Sequence, residues 1–310
     1  MNTLKCRIFA LLALLPLATG MAFADTGHGY SRIFVFGASF LDPGNRFAVT
    51  GVTAHAPFDP IEYDSYGVGG HRPTNGRTWV EVMAQEMNLT EWAKPAYRDP
   101  AFGNYAYSFS RARDVDYPDG PGLGAQVQDW IDNGYCSGSP MHDTLFVVDS
   151  GWGDLKDMLM GEDPNVVIPG MIGSIAANIG ILHACGARNL MIAYLPPMGA
   201  FPGISEEGKA GANLLTMLYN YVYMQAVVDS YSGVMNVSVV DFFDFTSEVL
   251  AEPAKFGFTN VTDSCVTPGV IKHAFCKDRN GHFFWDNLHQ SKTAHALMGI
   301  YALDYLPVPD

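Results

Sequence analysis

The chain has 310 residues, 48% of them apolar, and a formal charge of −14 at neutral pH. An acidic surface of that kind repels phosphate backbones, so nucleic acid is excluded as a natural partner. The apolar fraction suffices for the core of one large α/β domain, and no segment repeats at a fixed period.

At the amino terminus, Lys5 and Arg7 flank the start of a short apolar run, Ile8 to Ala18, and Ala22-Phe23-Ala24 makes a small-x-small cleavage site. This pattern predicts a secretory signal peptide over residues 1–24. The remainder, 25–310, is expected to be one domain, secreted to the periplasm or the extracellular space. The apolar run is shorter than the roughly 20 residues that cross a bilayer, and no later stretch reads as a membrane span.

Ile33-Phe34-Val35-Phe36 is a continuous apolar run ending at Gly37, the pattern of a strand buried on both faces of a parallel sheet. Trp79 to Met87 predicts a helix. Leu145-Phe146-Val147-Val148, closed by Asp149-Ser150-Gly151, predicts a second strand. Ile168, Met171, Ile172, Ile175, Ile179 and Leu182 keep helical spacing, with Gly186 as the stop. Leu190 to Leu195, halted by Pro196-Pro197, predicts a third strand. Leu214, Met217, Leu218, Tyr221, Met224 and Val228 form another helical stripe. Val237 to Val240, followed by Asp241, predicts a fourth strand, and Thr293 to Leu303 a closing helix. Strands alternating with helices predict a doubly wound α/β sandwich with a mostly parallel central sheet. Its site is expected in loops at the carboxyl ends of the strands.

Cys136, Cys185, Cys265 and Cys276 follow the leader, and export makes disulfides possible. Four cysteines allow three full pairings. Cys265 and Cys276 lie close together in a loop-like stretch and are the favoured pair. Cys185 ends a helical run and reads equally as a buried thiol. Neither Cys-x-x-Cys nor His-Glu-x-x-His occurs, so no metal and no redox cofactor is expected.

The residues at the strand ends carry the chemistry. Ser39 follows the first strand after Gly37-Ala38. Asp286 and His289 precede the last helix, three residues apart. A serine hydroxyl is a weak nucleophile and needs a base within hydrogen-bond reach, which a histidine supplies. A carboxylate then holds the imidazole in its useful tautomer. His55, His71, His273, His282 and His295 carry no comparable partner signal. Tyr63, Tyr66, Tyr105 and Tyr107 read either as pocket aromatics or as ordinary core and surface rings.

Phe36-Gly37-Ala38-Ser39-Phe40-Leu41-Asp42-Pro43-Gly44-Asn45 resembles the first block of the GDSL-type, or SGNH, esterases and lipases. Asn75-Gly76-Arg77-Thr78-Trp79-Val80-Glu81, Asn104-Tyr105-Ala106-Tyr107, Gly151-Trp152-Gly153-Asp154 and Pro196-Pro197-Met198-Gly199 are similar to blocks that follow it in order. Gly257 to Asp263 with Cys265, then Phe284-Trp285-Asp286-Asn287-Leu288-His289, is similar to the closing region. The resemblance implies a flavodoxin-like α/β/α sandwich and no metal or organic cofactor. It implies carboxylic ester hydrolysis through an acyl-enzyme on Ser39, with His289 as base and Asp286 orienting it. The substrates it implies are small-molecule, lipid or acylated-carbohydrate esters.

Three positions depart from the family pattern. Ala38 replaces the aspartate before the nucleophile. The oxyanion hole would use the backbone of Ser39, a second-block glycine and a third-block asparagine; here Phe109 and Gly153 stand at the last two. Two functions therefore stay open: a working esterase with an altered oxyanion hole, and a catalytically weak or inactive binding protein on a hydrolase scaffold. The esterase is preferred because Ser39, Asp286 and His289 all persist. An asparagine restored at position 153 is expected to raise the rate.

Overall fold

The computed structural model describes residues 28–51, 71–115, 120–266 and 275–309. The predicted leader at 1–24, His55, Tyr63, Tyr66 and His273 lie outside the described residues.

The four apolar runs form strands β1 (Arg32–Gly37), β2 (Met141–Asp149), β3 (Ala187–Tyr194) and β4 (Asn236–Asp241), all parallel and adjacent in that order. Beyond β1 the sheet gains a further edge. Val35 N–H donates to Gly103 O at 2.9 Å, Tyr105 N–H to Val35 O at 2.8 Å, and Tyr107 N–H to Gly37 O at 3.1 Å. Val35 and Asn104 pair in parallel. With residues 103–107 counted as a strand, the order becomes 2-1-3-4-5, that of a flavodoxin-like sheet, whose switch point lies between β1 and β2.

Successive strand residues point to opposite faces. Ile33, Phe34, Val35 and Phe36 are all fully buried, so both faces of the sheet are covered. On one side lie α3 (Leu123–Asp132), α4 (Trp152–Leu159) and α5 (Pro164–Ala184), with α3 and α4 both packed on α5. The other layer holds α2 (Trp79–Glu86), α8 (Phe242–Ala251) and α9 (Lys292–Leu303). There the Trp79 ring meets Phe242 at 5.0 Å, and Phe242 meets Tyr301. Local signals start these helices. Thr78 and Glu81 form a capping box on α2, Asp163 and Pro164 open α5, Asp241 caps α8, and Ser291 caps α9. A short α1 (Asn45–Thr50) follows the loop after β1.

Two expectations need correction. Among the described residues one helix is long and apolar enough to cross a membrane: α5, of 21 residues, with a mean hydropathy of 1.7 over an 18-residue window. In the fold its Val167, Met171, Ile175, Ile179 and Leu182 are buried in the core. The stripe from Leu214 to Val228 also differs. It splits into α6 (Lys209–Leu218), a π-helical stretch Tyr219–Met224, and α7 (Gln225–Tyr231). Leu214, Met217, Leu218 and Tyr221 are exposed at 59%, 44%, 40% and 38%, while Ala212, Thr216, Tyr219 and Asn220 are buried. The π-helical stretch breaks the simple 3.6-residue register, so the stripe read from sequence does not fall on one face.

Both cysteine pairs form disulfides, Cys136–Cys185 and Cys265–Cys276. Cys185 is therefore bonded rather than a free buried thiol. Cys265–Cys276 lies beside a two-stranded parallel ribbon, β5 (Asn260–Ser264) and β6 (His282–Phe284), which leads into the loop carrying Asp286 and His289.

Candidate active site

The loop after β1 starts at a forced glycine. A Cβ at Gly37 would lie 1.8 Å from the Asp149 carbonyl oxygen. Only glycine lets β1 and β2 end this close together. Ala38 N–H then donates to that same carbonyl at 3.0 Å, and the chain turns at Ser39, which is 4% exposed. Gln126 on α3 clamps the turn. Its amide accepts from Gly37 N–H at 2.8 Å and donates to Gly37 O at 2.9 Å. No pattern in the sequence pointed to Gln126.

The remaining residues of the first block are connectors. Asp42 accepts from the N–H groups of Gly44, Asn45 and Ser108 and from the Ser108 hydroxyl, all within 2.7–2.8 Å. Burial pushes its carboxyl up, while these hydrogen bonds pull it down. Asn45 Nδ2 donates to Asn104 O and Ala106 O, and Asn104 Nδ2 to Leu41 O. The Ser39 turn is thereby tied to residues 103–108.

Asp286 and His289 form a compact loop. Asp286 Oδ1 accepts from the N–H groups of Leu288 and His289, both at 2.8 Å. His289 Nδ1 lies 3.0 Å from each Asp286 carboxylate oxygen. Trp285 N–H donates to His289 O at 2.8 Å, and Thr74 Oγ1 donates to Gln290 O at 2.8 Å. Phe40 stands edge-on to the imidazole at 6.3 Å and packs on Trp152. With Nδ1 held by the carboxylate, Nε2 is the ring nitrogen that remains for proton transfer.

Ser39 and His289 line one small cavity of about 10 Å³, together with Phe109, Arg111 and Gly153. That is room for about one water molecule or one oxygen atom. Among the described residues Ser39 Oγ forms no hydrogen bond with His289; such contacts are often long in unliganded sites. Next to it opens a cavity of about 380 Å³, walled by Leu159, Met160, Ile204 and Leu288. Lys156 and Leu288 line both spaces. Gly203 N–H donates to Asn287 O at 2.9 Å, which fixes the far wall to the His289 loop.

Phe109 has φ of +64°, and among the described residues only Asn88 shares a positive φ without being glycine. An aromatic residue there bears a strain of roughly 1–2 kcal/mol. The backbone thus keeps a conformation that glycine would adopt freely. The ring stands edge-on to His289 at 6.4 Å, with Arg46 and Lys156 over it at 4.8 and 5.6 Å.

Gly153, in the first turn of α4, has no space for a side chain. A Cβ would lie 2.5 Å from Ser110 O, 2.8 Å from Arg111 Cδ and 3.0 Å from Arg111 Nη1. The expectation that an asparagine would fit here as a donor is therefore overturned. Arg111 is 2% exposed and doubly bonded to Asp157, through Nε at 2.8 Å and Nη2 at 2.5 Å. Arg113 joins Asp154, Asp157 and Glu162 to the same network.

His295, Tyr105 and Tyr107 do not line the Ser39 cavity. His295 is fully buried; its Nδ1 accepts from Trp79 N–H at 3.2 Å. Burial, then the neighbouring His289, lowers its pKa to about 3. Tyr105 stacks on Phe36, and both Tyr105 and Tyr107 are core residues.

The family model described as "GDSL-like Lipase/Acylhydrolase" matches residues 33–302. A GDSL esterase/lipase of Arabidopsis thaliana is 24% identical, over 98% of this chain and 94% of that protein. "GDSL esterase/lipase 6" of the same plant is 22% identical, over 93% and 90%. Among solved structures, a member of the lipolytic protein G-D-S-L family from Veillonella parvula aligns at 15% identity and a TM-score of 0.44, covering 88% of this chain and 96% of that one.

Proposed function

The chain belongs to the GDSL-like lipase/acylhydrolase family, and on that premise we propose that it is a secreted carboxylic ester hydrolase acting through an acyl-enzyme on Ser39. The observation that carries this reading is His289 Nδ1 bonded to both Asp286 oxygens at 3.0 Å, with Ser39 in the same small cavity. Two disulfides are in keeping with export after removal of residues 1–24, and the mature chain 25–310 acts as one domain.

In this reading Ser39 Oγ attacks the ester carbonyl while His289 Nε2 takes its proton. Asp286 stabilises the resulting imidazolium through Nδ1. The carbonyl oxygen becomes an anion held by the backbone N–H groups of Ser39 and Phe109. The intermediate collapses, His289 returns the proton to the leaving alcohol, and the acyl group stays on Ser39. Water, activated by His289, then releases the acid and restores the serine. The glycine-like backbone kept at Phe109, despite its strain, supports an enzyme over the binding-protein alternative.

The cavity of about 380 Å³ beside the site falls within the roughly 300–1,000 Å³ usual for ligand pockets. Its apolar wall suits an alkyl chain of the ester, with Lys156 at the seam between chain and carbonyl. The proposed substrates are therefore small-molecule or lipid esters bearing such a chain. Hydrolysis of p-nitrophenyl acetate and p-nitrophenyl octanoate by the protein and by Ser39→Ala tests the reading. Activity in the wild type, higher kcat/KM on octanoate, and none in Ser39→Ala are expected. A wild type inert toward both esters would favour the binding protein.

A further inference from the structure

The small cavity must hold the oxygen that turns negative during attack, and Gly153 offers no side chain for it. The space where a residue-153 side chain would begin is filled by Arg111. Its Cδ and Nη1 lie 2.8 and 3.0 Å from the position a Cβ would take. Arg111, two residues after Phe109, lines that cavity with Ser39 and His289. We infer that Arg111 Nη1 is the side-chain oxyanion donor of this enzyme, in the place where the family pattern carries an asparagine. The inference rests on the proposed hydrolase reading.

The geometry suits the role. Asp157 holds Nε and Nη2 in a two-pronged grip, which sets the plane of the guanidinium and turns its Nη1 edge away from that carboxylate. Nη1 donates to the Phe109 carbonyl, so it lies beside the peptide whose strained conformation presents the backbone donor. Gly153 and Arg111 are coupled: any Cβ at 153 would displace the arginine. Arg113 bridges Asp154 and Asp157, so Arg111 does not face Asp157 as an isolated buried pair. A donor already fixed and partly desolvated needs no reorganisation when charge appears on the substrate oxygen. Its interaction with a neutral ester carbonyl is weaker than with an oxyanion, so the contribution falls on kcat rather than KM.

The test compares p-nitrophenyl acetate with its thiono analogue, in which sulfur, a poor hydrogen-bond acceptor, replaces the carbonyl oxygen. Wild type, Arg111→Gln and Arg111→Lys are assayed on both. Arg111→Gln should lower kcat on the oxygen ester by roughly 10²–10³-fold with little change in KM. The thiono ester should lose far less, so the oxygen-to-sulfur rate ratio falls by about tenfold or more. Arg111→Lys keeps a cationic donor without the two-pronged grip and should give an intermediate ratio. The ratio is measured on active protein alone, so partial unfolding of a variant does not disturb it. If both variants lose activity on the two esters by the same factor, Arg111 is structural and the assignment falls while the hydrolase reading stands. A wild type that cleaves neither ester removes both.

Discussion

A side chain placed at position 153 has a predictable cost. The Cβ alone would sit 2.5 Å from Ser110 O and 2.8 Å from Arg111 Cδ. Neither neighbour can withdraw freely. Arg111 O accepts from Leu123 N–H at 2.9 Å, Ala112 N–H donates to Asp154 at 2.7 Å, and the guanidinium is fixed on Asp157. Overpacking of this kind costs about 1–3 kcal/mol. For a domain of this size a kilocalorie corresponds to roughly 2–4 °C, so Gly153→Ala should lower Tm by roughly 2–12 °C. Gly153→Asn should lose at least as much, and both should show reduced kcat because Arg111 is pushed aside. Thermal melts and p-nitrophenyl acetate kinetics on the same preparations read both effects. A Gly153→Asn protein with unchanged Tm and higher kcat would refute the packing argument and the placement of Arg111.

Other perturbations follow from the same geometry. Gly37→Ala would drive a Cβ to 1.8 Å from Asp149 O and part the ends of β1 and β2, so urea unfolding should show a loss of about 3 kcal/mol or more. Asp286→Asn retains an acceptor for the N–H groups of Leu288 and His289 but not the charge, and kcat should drop by roughly 10⁴-fold with the fold intact by circular dichroism. Asp149 is buried, which raises its pKa from 3.8 to about 7, with the Trp79 side chain pulling the other way. The folded state then binds a proton that the unfolded state has released, and stability contributed by this group is lost as pH rises from about 4 to about 7. His295, lowered to about 3, acts with the opposite sign between pH 3 and 6.5. Asp149→Asn isolates the first effect: its gain in Tm over wild type should be larger at pH 8 than at pH 4. An equal gain at both would contradict the raised carboxyl.

The strands were legible because a parallel strand buried on both faces must be apolar throughout, as Ile33 to Phe36 and Leu145 to Val148 are. The edge at residues 103–107 escaped because Gly103-Asn104-Tyr105-Ala106-Tyr107 is mixed in polarity and joins β1 by backbone pairing. Helix α8 escaped despite the N-cap signal at Asp241; its buried Phe242, Phe245, Thr246 and Val249 keep helical spacing. At the site, Ser39, Asp286 and His289 could be named from spacing and family resemblance; Ser39 and His289 line one cavity, and Asp286 meets His289 Nδ1. Whether position 153 had room could not be read from sequence, since it depends on the path of Arg111, 42 residues upstream, relative to α4. Gln126 was equally invisible: its amide reads a backbone turn 89 residues away.

The central claim is that Ser39 is the nucleophile, and an aryl fluorophosphonate tests it whatever the natural ester is. Intact-mass and peptide mapping should show one adduct on the peptide carrying Ser39, loss of esterase activity in step with labelling, and no adduct in Ser39→Ala. An adduct on a different residue, or labelling of Ser39→Ala at the wild-type rate, would contradict the account.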